Sequence, residues 1–318
     1  MSTIVVTGSS GFIGGETLLK LADQGHEVIA IDIDTPWMEV LNNSTYFHQD
    51  DFASQDSLEL IKSYRPAAII HCAGTSLVGP SMTKPRNYYD NNFVKTKKLL
   101  VFLIDNNMTS TRVIFSSSAA VYGDPVMVPC TEEDPPLPIS PYGESKWMIE
   151  SMLKSYHAAY GIDYVAFRYF NACGADSKNR HGQSSHATHI IAKVLQGIRR
   201  KNDFVLNGTN YPTPDGTCVR DYIHVEDIAD AHILALNHDL VPADIYNLGS
   251  NMGTSNKQII EAALETTQQP LNVAEGPIRP GDPAILTASA DKFTRQTGWK
   301  PKFDLEQIIT HAWAWYNK

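Results

Sequence analysis

Short apolar runs alternate with longer amphipathic stretches through the first half of the chain. "TIVVTG" (3–8), "HEVIAID" (26–32), "AAIIHCAG" (67–74), "RVIFSSS" (112–118) and "DYVAFRYF" (163–170) read as strands buried on both faces. Between them apolar positions recur at helical spacing, as in "FIGGETLLKLADQG" (12–25), whose pattern ends at Gly25. This alternation predicts parallel strands joined by right-handed crossovers, a doubly wound α/β sheet. After about residue 170 the texture changes to Gly, Asn, Pro and Asp, as in "GTNYPTPDGTCVRDY" (208–222). One more helical pattern (224–238) and one more strand pattern (244–250) are expected to return to the first sheet. The predicted organisation is a first domain over 1–170, rejoined by 223–249, and a smaller C-terminal lobe from 171–222 and 250–318.

Charge and cysteine content narrow the classes. The 318 residues carry 26 Lys and Arg against 35 Asp and Glu, a net charge of −9. No basic stripe is available to neutralise phosphates, which argues against a nucleic-acid partner. Cys72, Cys130, Cys173 and Cys218 form no C-x-x-C pair, which disfavours a zinc ribbon or a redox dithiol and fits free thiols in a reducing cytosol. No apolar run approaches the ~18 residues of a membrane span, and the first strand begins without a signal-peptide pattern. A soluble, cytoplasmic protein is expected.

Two motifs carry the chemistry. Gly8, Gly11 and Gly14, spaced G-x-x-G-x-x-G, follow a strand and open a helix. Glycines there permit a tight turn and close approach of backbone N–H groups to a pyrophosphate, which the positive helix end also favours. Eighteen residues after Gly14, strand two ends in Asp32, placed to accept from a ribose 2′-hydroxyl and to repel a 2′-phosphate. The pattern is Rossmann-like and predicts NAD rather than NADP. Asp51, after the third strand, suits either the adenine or a helix N-cap.

The second motif is "SPYGESKWMIE" (140–150). If Pro141 begins a helix, Tyr142 and Lys146 share a face one turn apart, while Met148, Ile149 and Met152 supply the anchoring apolar face. A tyrosine of pKa near 10 becomes a base at about pH 7 only with roughly 4 kcal/mol of preferential phenolate stabilisation. A nearby ammonium and a nicotinamide cation are physical sources of it. Ser118, at the carboxyl end of a Ser-rich strand, is placed to bond the same substrate hydroxyl.

With "GSSGFIGG", "IIHCAG", "YYDNN", "FSSSAAVYGD", "SPYGESK", "RYFNACGA", "YPTPDGTCVRDYIHVEDIADAH", "YNLGS" and "RPGDPA", the chain resembles the extended short-chain dehydrogenase/reductases almost end to end. Within them it is most similar to the UDP-glucose (UDP-galactose) 4-epimerases. That resemblance implies Tyr142 as catalytic base and acid, Lys146 as its modulator and Ser118 as hydroxyl partner. It implies NAD contacts from Gly8, Gly11, Phe12, Ile13, Gly14, Asp32, Asp51, Phe52, Cys72, Ala73, Gly74, Asn91, Ser116, Tyr142, Lys146 and Tyr169. Contacts to a UDP-sugar are implied for Ser118, Tyr142, Asn171, His189, Ile190, Asn207, Arg220, Tyr222, Arg279 and Asp282, in a UDP-sugar-binding C-terminal lobe. A homodimer through a helical face of the first lobe is also implied.

Some positions depart from the family pattern. Thr75-Ser76 stands where many relatives carry a lysine, and Asn207-Gly208 replaces an apolar-Gly pair near the uracil. Ala119-Ala120 stands where the related 4,6-dehydratases place an Asp-Glu pair, which disfavours dehydration; decarboxylation is disfavoured by the missing Glu. Leu286, five residues before Asp291, is smaller than the tyrosine of strict hexose enzymes, so a UDP-N-acetylhexosamine is an alternative substrate, beside a UDP-uronic acid or pentose. A non-catalytic NAD sensor is the rival from another class, and retention of Tyr142 and Lys146 argues against it. His181, His186 and His189 lack carboxylate or thiolate partners, so no metal site is expected.

Overall fold

The computed structural model describes residues 2–185, 188–278 and 283–318. The first half follows the apolar pattern: β1 (Thr3–Thr7), α1 (Phe12–Asp23), β2 (Glu27–Asp32), α2 (Met38–Asn43), β3 (Tyr46–Gln49), α3 (Gln55–Tyr64) and β4 (Ala68–His71). Short helices α4 (Val78–Ser81) and α5 (Pro85–Tyr88) lead through a π-helical turn, Tyr89–Val94, into α6 (Lys95–Asp105). Next come β5 (Arg112–Ser118), the long α7 (Pro141–Tyr160) and β6 (Tyr164–Tyr169). The remainder comprises β7 (Asn171–Cys173), α8 (Ile190–Arg200), β8 (Phe204–Asn207), β9 (Val219–His224), α9 (Val225–Leu234) and β10 (Asp244–Leu248). It closes with β11 (Gly253–Ser255), α10 (Asn256–Thr267), β12 (Val273–Gly276), β13 (Ile285–Leu286), α11 (Asp291–Thr297) and α12 (Leu305–Tyr316). β10 stops short of the predicted residue 250 because the Ser250 N–H turns away to donate to the Asp221 carboxylate at 2.6 Å.

Seven strands form one parallel sheet in the order β10-β6-β5-β4-β1-β2-β3. Alternation of side chains splits its core in two. Ile4, Val6, Val28 and Ala30 point to one face and pack with Leu18 and Leu21 of α1 and Ile228 of α9. Val5, Ile29 and Ile31 point to the other, against Leu58 of α3, Leu103 of α6 and Ile149 and Leu153 of α7. Each such fully buried Val, Leu or Ile side chain contributes about 1.5–3 kcal/mol. In α7 the anchoring face is Ile149, Met152 and Leu153, whereas Met148 is only half-buried.

The strand order reverses between β1 and β4, and the crevice past their carboxyl ends is where ligands of such sheets bind. The smaller part of the molecule is centred on β9, which pairs in parallel with β7 and β13 and antiparallel with β11. A separate parallel pair, β8 with β12, lies beside helices α8, α10 and α12, which share a core of Ile191, Leu195, Ile259, Ile309 and Tyr316. Among the described residues no helix is long and apolar enough to cross a membrane.

Candidate active site

The crevice at the strand reversal is a cleft of about 680 Å³. Its walls include Gly8, Gly11, Asp32, Asp51, Phe52, Cys72, Ala73, Gly74 and Asn91 from the expected cofactor set. Gly8 adopts φ +72°, and a Cβ there would stand 2.5 Å from the Ala73 nitrogen, so the turn exists only because the side chain is absent. The N-cap of α1, Gly11, offers no side-chain acceptor to the first helical turn, whereas Ser140, Ser255 and Asp304 cap α7, α10 and α12. A bound anion is the fitting partner for those uncapped N–H groups. The Asp32 carboxylate accepts from the backbone N–H groups of Ser10 (2.8 Å) and Asp34 (3.0 Å), which fixes it at the end of β2. Burial raises its pKa above the ordinary carboxylate value. These features fit a dinucleotide whose pyrophosphate lies on α1 and whose ribose meets Asp32.

Phe12, Ile13 and Gly14 stand behind that wall, in the first turns of α1; the Phe12 carbonyl accepts from His181 Nε2 at 2.9 Å. Thr75, at the departure from the family pattern, also lines the cleft, as do Trp37, Lys95 and Ser184, which the sequence reading missed. Lys95 pairs with the Asp51 carboxylate across the cleft wall, a contact between residues 44 positions apart that no local pattern announces. The Asn92 carboxamide holds Thr75 at both its N–H (2.8 Å) and its carbonyl (3.1 Å), and donates to Ser145 Oγ (3.0 Å). The π-helical turn that presents Asn91 and Asn92 is a form that recurs at functional sites.

α7 starts as its sequence dictates: Ser140 Oγ accepts from the Gly143 N–H at 3.2 Å, Pro141 occupies the first turn, and Gly161 ends the helix in the left-handed region. A Cβ on Gly143 would lie 2.3 Å from the Ala120 carbonyl oxygen. The glycine therefore lets α7 press onto the turn Ala119–Val121 that follows β5. That contact brings Tyr142 beside Ser118, whose hydroxyl is near enough to favour the phenolate. Lys146 Nζ donates to the Ser116 carbonyl at 2.7 Å and lies 5.8 Å from the centre of the Tyr142 ring. It also lies 3.8 Å from the Cβ position of Gly74, at the cleft wall. Ser118, Tyr142 and Lys146 thus meet where β4 and β5 end.

Burial dominates the electrostatics of the Tyr142–Lys146 pair. It pushes the Tyr142 phenol above its ordinary value, and the Ser118 hydroxyl only partly offsets it. Burial likewise pushes Lys146 down to about 8. Burial thus works against the charged form of each group, leaving the lysine still mainly an ammonium at neutral pH and the phenol unprimed by the chain alone. Behind the pair, Ser116 Oγ lies 3.1 Å from Tyr169 Oη, which bonds His232; His232 Nδ1 reaches Thr17 Oγ1 at 2.8 Å.

Of the expected substrate residues, Asn171, His189, Ile190, Asn207, Arg220 and Tyr222 lie on the smaller part. Asn171 and Tyr222 are register partners across β7 and β9, and Arg220 is two residues from Tyr222 on the same strand. Asn171 Nδ2 donates to the Asp221 carbonyl at 2.8 Å, and the Arg220 guanidinium to the Val219 carbonyl at 2.9 Å. The His189 ring meets Tyr222 edge-on at 5.6 Å, and burial lowers its pKa to about 4, so it is neutral. Ile190 and Asn207 line a second cavity of about 370 Å³ with Lys193 and Leu206. Arg279, Asp282 and His186 lie outside the described residues. The grouping of potential metal ligands among the described residues, Glu16, Asp176 and Glu226, contains neither His181 nor His189.

Residues 4–249 match the model of the NAD dependent epimerase/dehydratase family. A UDP-glucose 4-epimerase of Halalkalibacterium halodurans is 40% identical over 99% of this chain and 96% of its own length. The crystal structure of a UDP-glucose 4-epimerase from Brucella ovis in complex with NAD superposes with a TM-score of 0.92 at 37% identity, covering 98% of both chains. That of a UDP-glucose 4-epimerase from Bifidobacterium longum in complex with NAD+ and UDP gives 0.89 at 33% identity, covering 99% of this chain and 98% of its own.

Proposed function

The chain belongs to the NAD dependent epimerase/dehydratase family, and on that premise we propose that it is an NAD-dependent isomerase, a 4-epimerase interconverting UDP-glucose and UDP-galactose. The observation that carries this reading is the meeting of Ser118, Tyr142 and Lys146 at the end of β5, beside a cleft suited to a dinucleotide. When bound there, NAD supplies a hydride acceptor and donor at sugar C4, with no net redox.

Tyr142 takes the proton of the sugar 4-hydroxyl at its phenolic oxygen and later returns it, while Ser118 bonds the same oxygen of the substrate. Burial leaves Tyr142 protonated in the chain alone, so positive charge nearby must favour the phenolate, and Lys146 provides one such charge. The intermediate is a 4-keto sugar. It turns about its phosphate linkage and offers its other face, so one phenol serves both half-reactions and C4 is inverted. Ala119 and Ala120, next to Ser118, carry no acid or base for elimination of water.

We assign NAD binding to residues 1–170 with 223–249, and UDP-sugar binding to 171–222 and 250–318. In the second group Arg220 and Arg279 supply permanent, bidentate charge for the pyrophosphate; Asn171, His189, Ile190, Asn207, Tyr222 and Asp282 complete the sugar-nucleotide contacts. A homodimer in the cytoplasm completes the reading, and the four free cysteines fit a reducing compartment. A second reading, turnover of UDP-N-acetylhexosamines as well, is favoured by Leu286: it is in register with Arg220 and packs on the cluster holding Ala119 and Tyr122.

A purified Tyr142→Phe variant is expected to lose roughly 10²–10⁴ in the rate of UDP-galactose conversion, the usual share of acid–base catalysis. A rate within tenfold of wild type overturns the assignment. A UDP-sugar panel with chromatographic product identification decides between the two substrate readings.

A further inference from the structure

The cofactor cleft has two flanks at its Asp32 end. One is the loop after β2, ending in Trp37; the other includes Ser184, from the segment that crosses over from β7. That segment is anchored on α1 by the Arg180–Asp23 ion pair at 2.9 Å and by His181 on the Phe12 carbonyl. A third element, α12, touches both flanks.

Trp315, in the last turn of α12, meets Trp37 edge-on with ring centres 5.3 Å apart. Its indole N–H donates to the Gln183 carbonyl at 2.9 Å. Its ring also fills the space above Gly182, where a Cβ would lie 2.5 Å away. Lys318, just past α12, repeats the bridge: its ammonium lies 2.7 Å from Glu39 of α2 and 3.3 Å from the Asn179 carbonyl. The same ammonium sits 5.2 Å from the Trp315 ring, over its face. Trp315 therefore contacts both flanks, and Lys318 ties α2, which follows the first, to the stretch that leads into the second.

We propose that Trp315 and Lys318 form a strap that holds the two flanks of the cleft together and slows cofactor release, Trp315 acting as a positioning residue through Trp37 and the 182–184 segment. The proposal rests on the reading of this cleft as the NAD site. Trp315 carries most of the effect, because an aromatic pair is worth a factor of roughly 3 to 10 while an exposed ion pair is worth a factor of about 5 at most.

The test is the rate at which NAD leaves the loaded protein in cofactor-free buffer, measured as nucleotide released on later denaturation. Trp315→Ala is expected to release NAD about 3- to 10-fold faster. Trp315→Phe, which keeps the ring and loses the N–H to Gln183, falls between it and wild type. Lys318→Ala is expected to accelerate release by about twofold at low salt and not at 0.5 M, where the ion pair is screened. With NAD added in excess, the kcat of Trp315→Ala returns to within about twofold of wild type, which a general structural defect would not allow. Release from Trp315→Ala and Lys318→Ala at the wild-type rate overturns the strap and leaves the NAD reading intact. If Trp315→Ala does not fold, the low-salt rate of Lys318→Ala decides alone. A wild-type protein that binds no NAD refutes the reading of the cleft itself.

Discussion

Replacing Lys146 with methionine separates the charge of that side chain from its volume. The methionine keeps most of the apolar stem inside a site that is already dry, and burial of the ammonium is a cost the variant no longer bears. In wild type the ammonium lies 5.8 Å from the centre of the Tyr142 ring. At an effective dielectric of about 20 that separation corresponds to roughly 3 kcal/mol of phenolate stabilisation, or about two pKa units. Half-ionising a phenol at pH 7 needs roughly 4 kcal/mol from its ordinary value and more from the value burial has raised, so the lysine supplies one part and a bound cation must supply the rest. Lys146→Met is therefore expected to lower kcat/KM at pH 7.5 about 100-fold. The acid limb of its pH profile should move up by about two units. Because burial holds Lys146 at about 8, the wild-type profile should also fall on the alkaline side as the ammonium loses its proton, and the variant should lack that fall. The assay is UDP-galactose conversion from pH 5.5 to 10 with NAD in excess, beside a thermal unfolding curve showing that the variant folds. A variant profile that overlays the wild-type profile after scaling would refute this reasoning and leave Lys146 as a spacer.

The Glu150–Arg168 pair is buried at both ends and bidentate, with Arg168 Nη2 2.7 Å from Glu150 Oε2 and Nε 3.0 Å from Oε1. Glu150→Gln leaves an uncompensated guanidinium and is expected to cost about 3–5 kcal/mol in urea unfolding, much of it recovered by adding Arg168→Met; a loss under about 1 kcal/mol contradicts this. Asp227 is fully buried and burial raises its pKa from 3.8 to about 6, against N–H donors from Lys302 and Phe303. An acid that binds its proton more tightly when folded adds stability that is fully present below about pH 4 and lost as pH rises to about 6, roughly 3 kcal/mol in all. Asp227→Asn should flatten the stability curve across that window, and an unchanged slope between pH 4 and 6 would assign the dependence to another group.

The sequence by itself determined the layered fold and the two motifs. Apolar runs of strand length at crossover spacing leave little besides a parallel sheet covered on both faces, and β1, β2, β4, β5 and β6 appear where Val, Ile and Phe cluster. Gly8 and Asp32 were legible because their backbone requirements are local: a left-handed turn, and a carboxylate at a strand end. Ser140 and Pro141 announced the start of α7 for the same reason. What only the tertiary structure decided depends on pairs far apart in the chain. Gly143 against Ala120 is the contact that brings Tyr142 to Ser118, and spacing shows neither that approach nor the burial that raises the phenol and lowers the lysine. Desolvation is set by everything packed around a group, so residue type and interval do not encode it. The same holds for Lys95 on Asp51, and for Trp315 reaching Trp37 and Gln183. Both are half-buried residues of their own helices; Lys95 reaches the cleft, and Trp315 the residues flanking it, only because folding places those helices there.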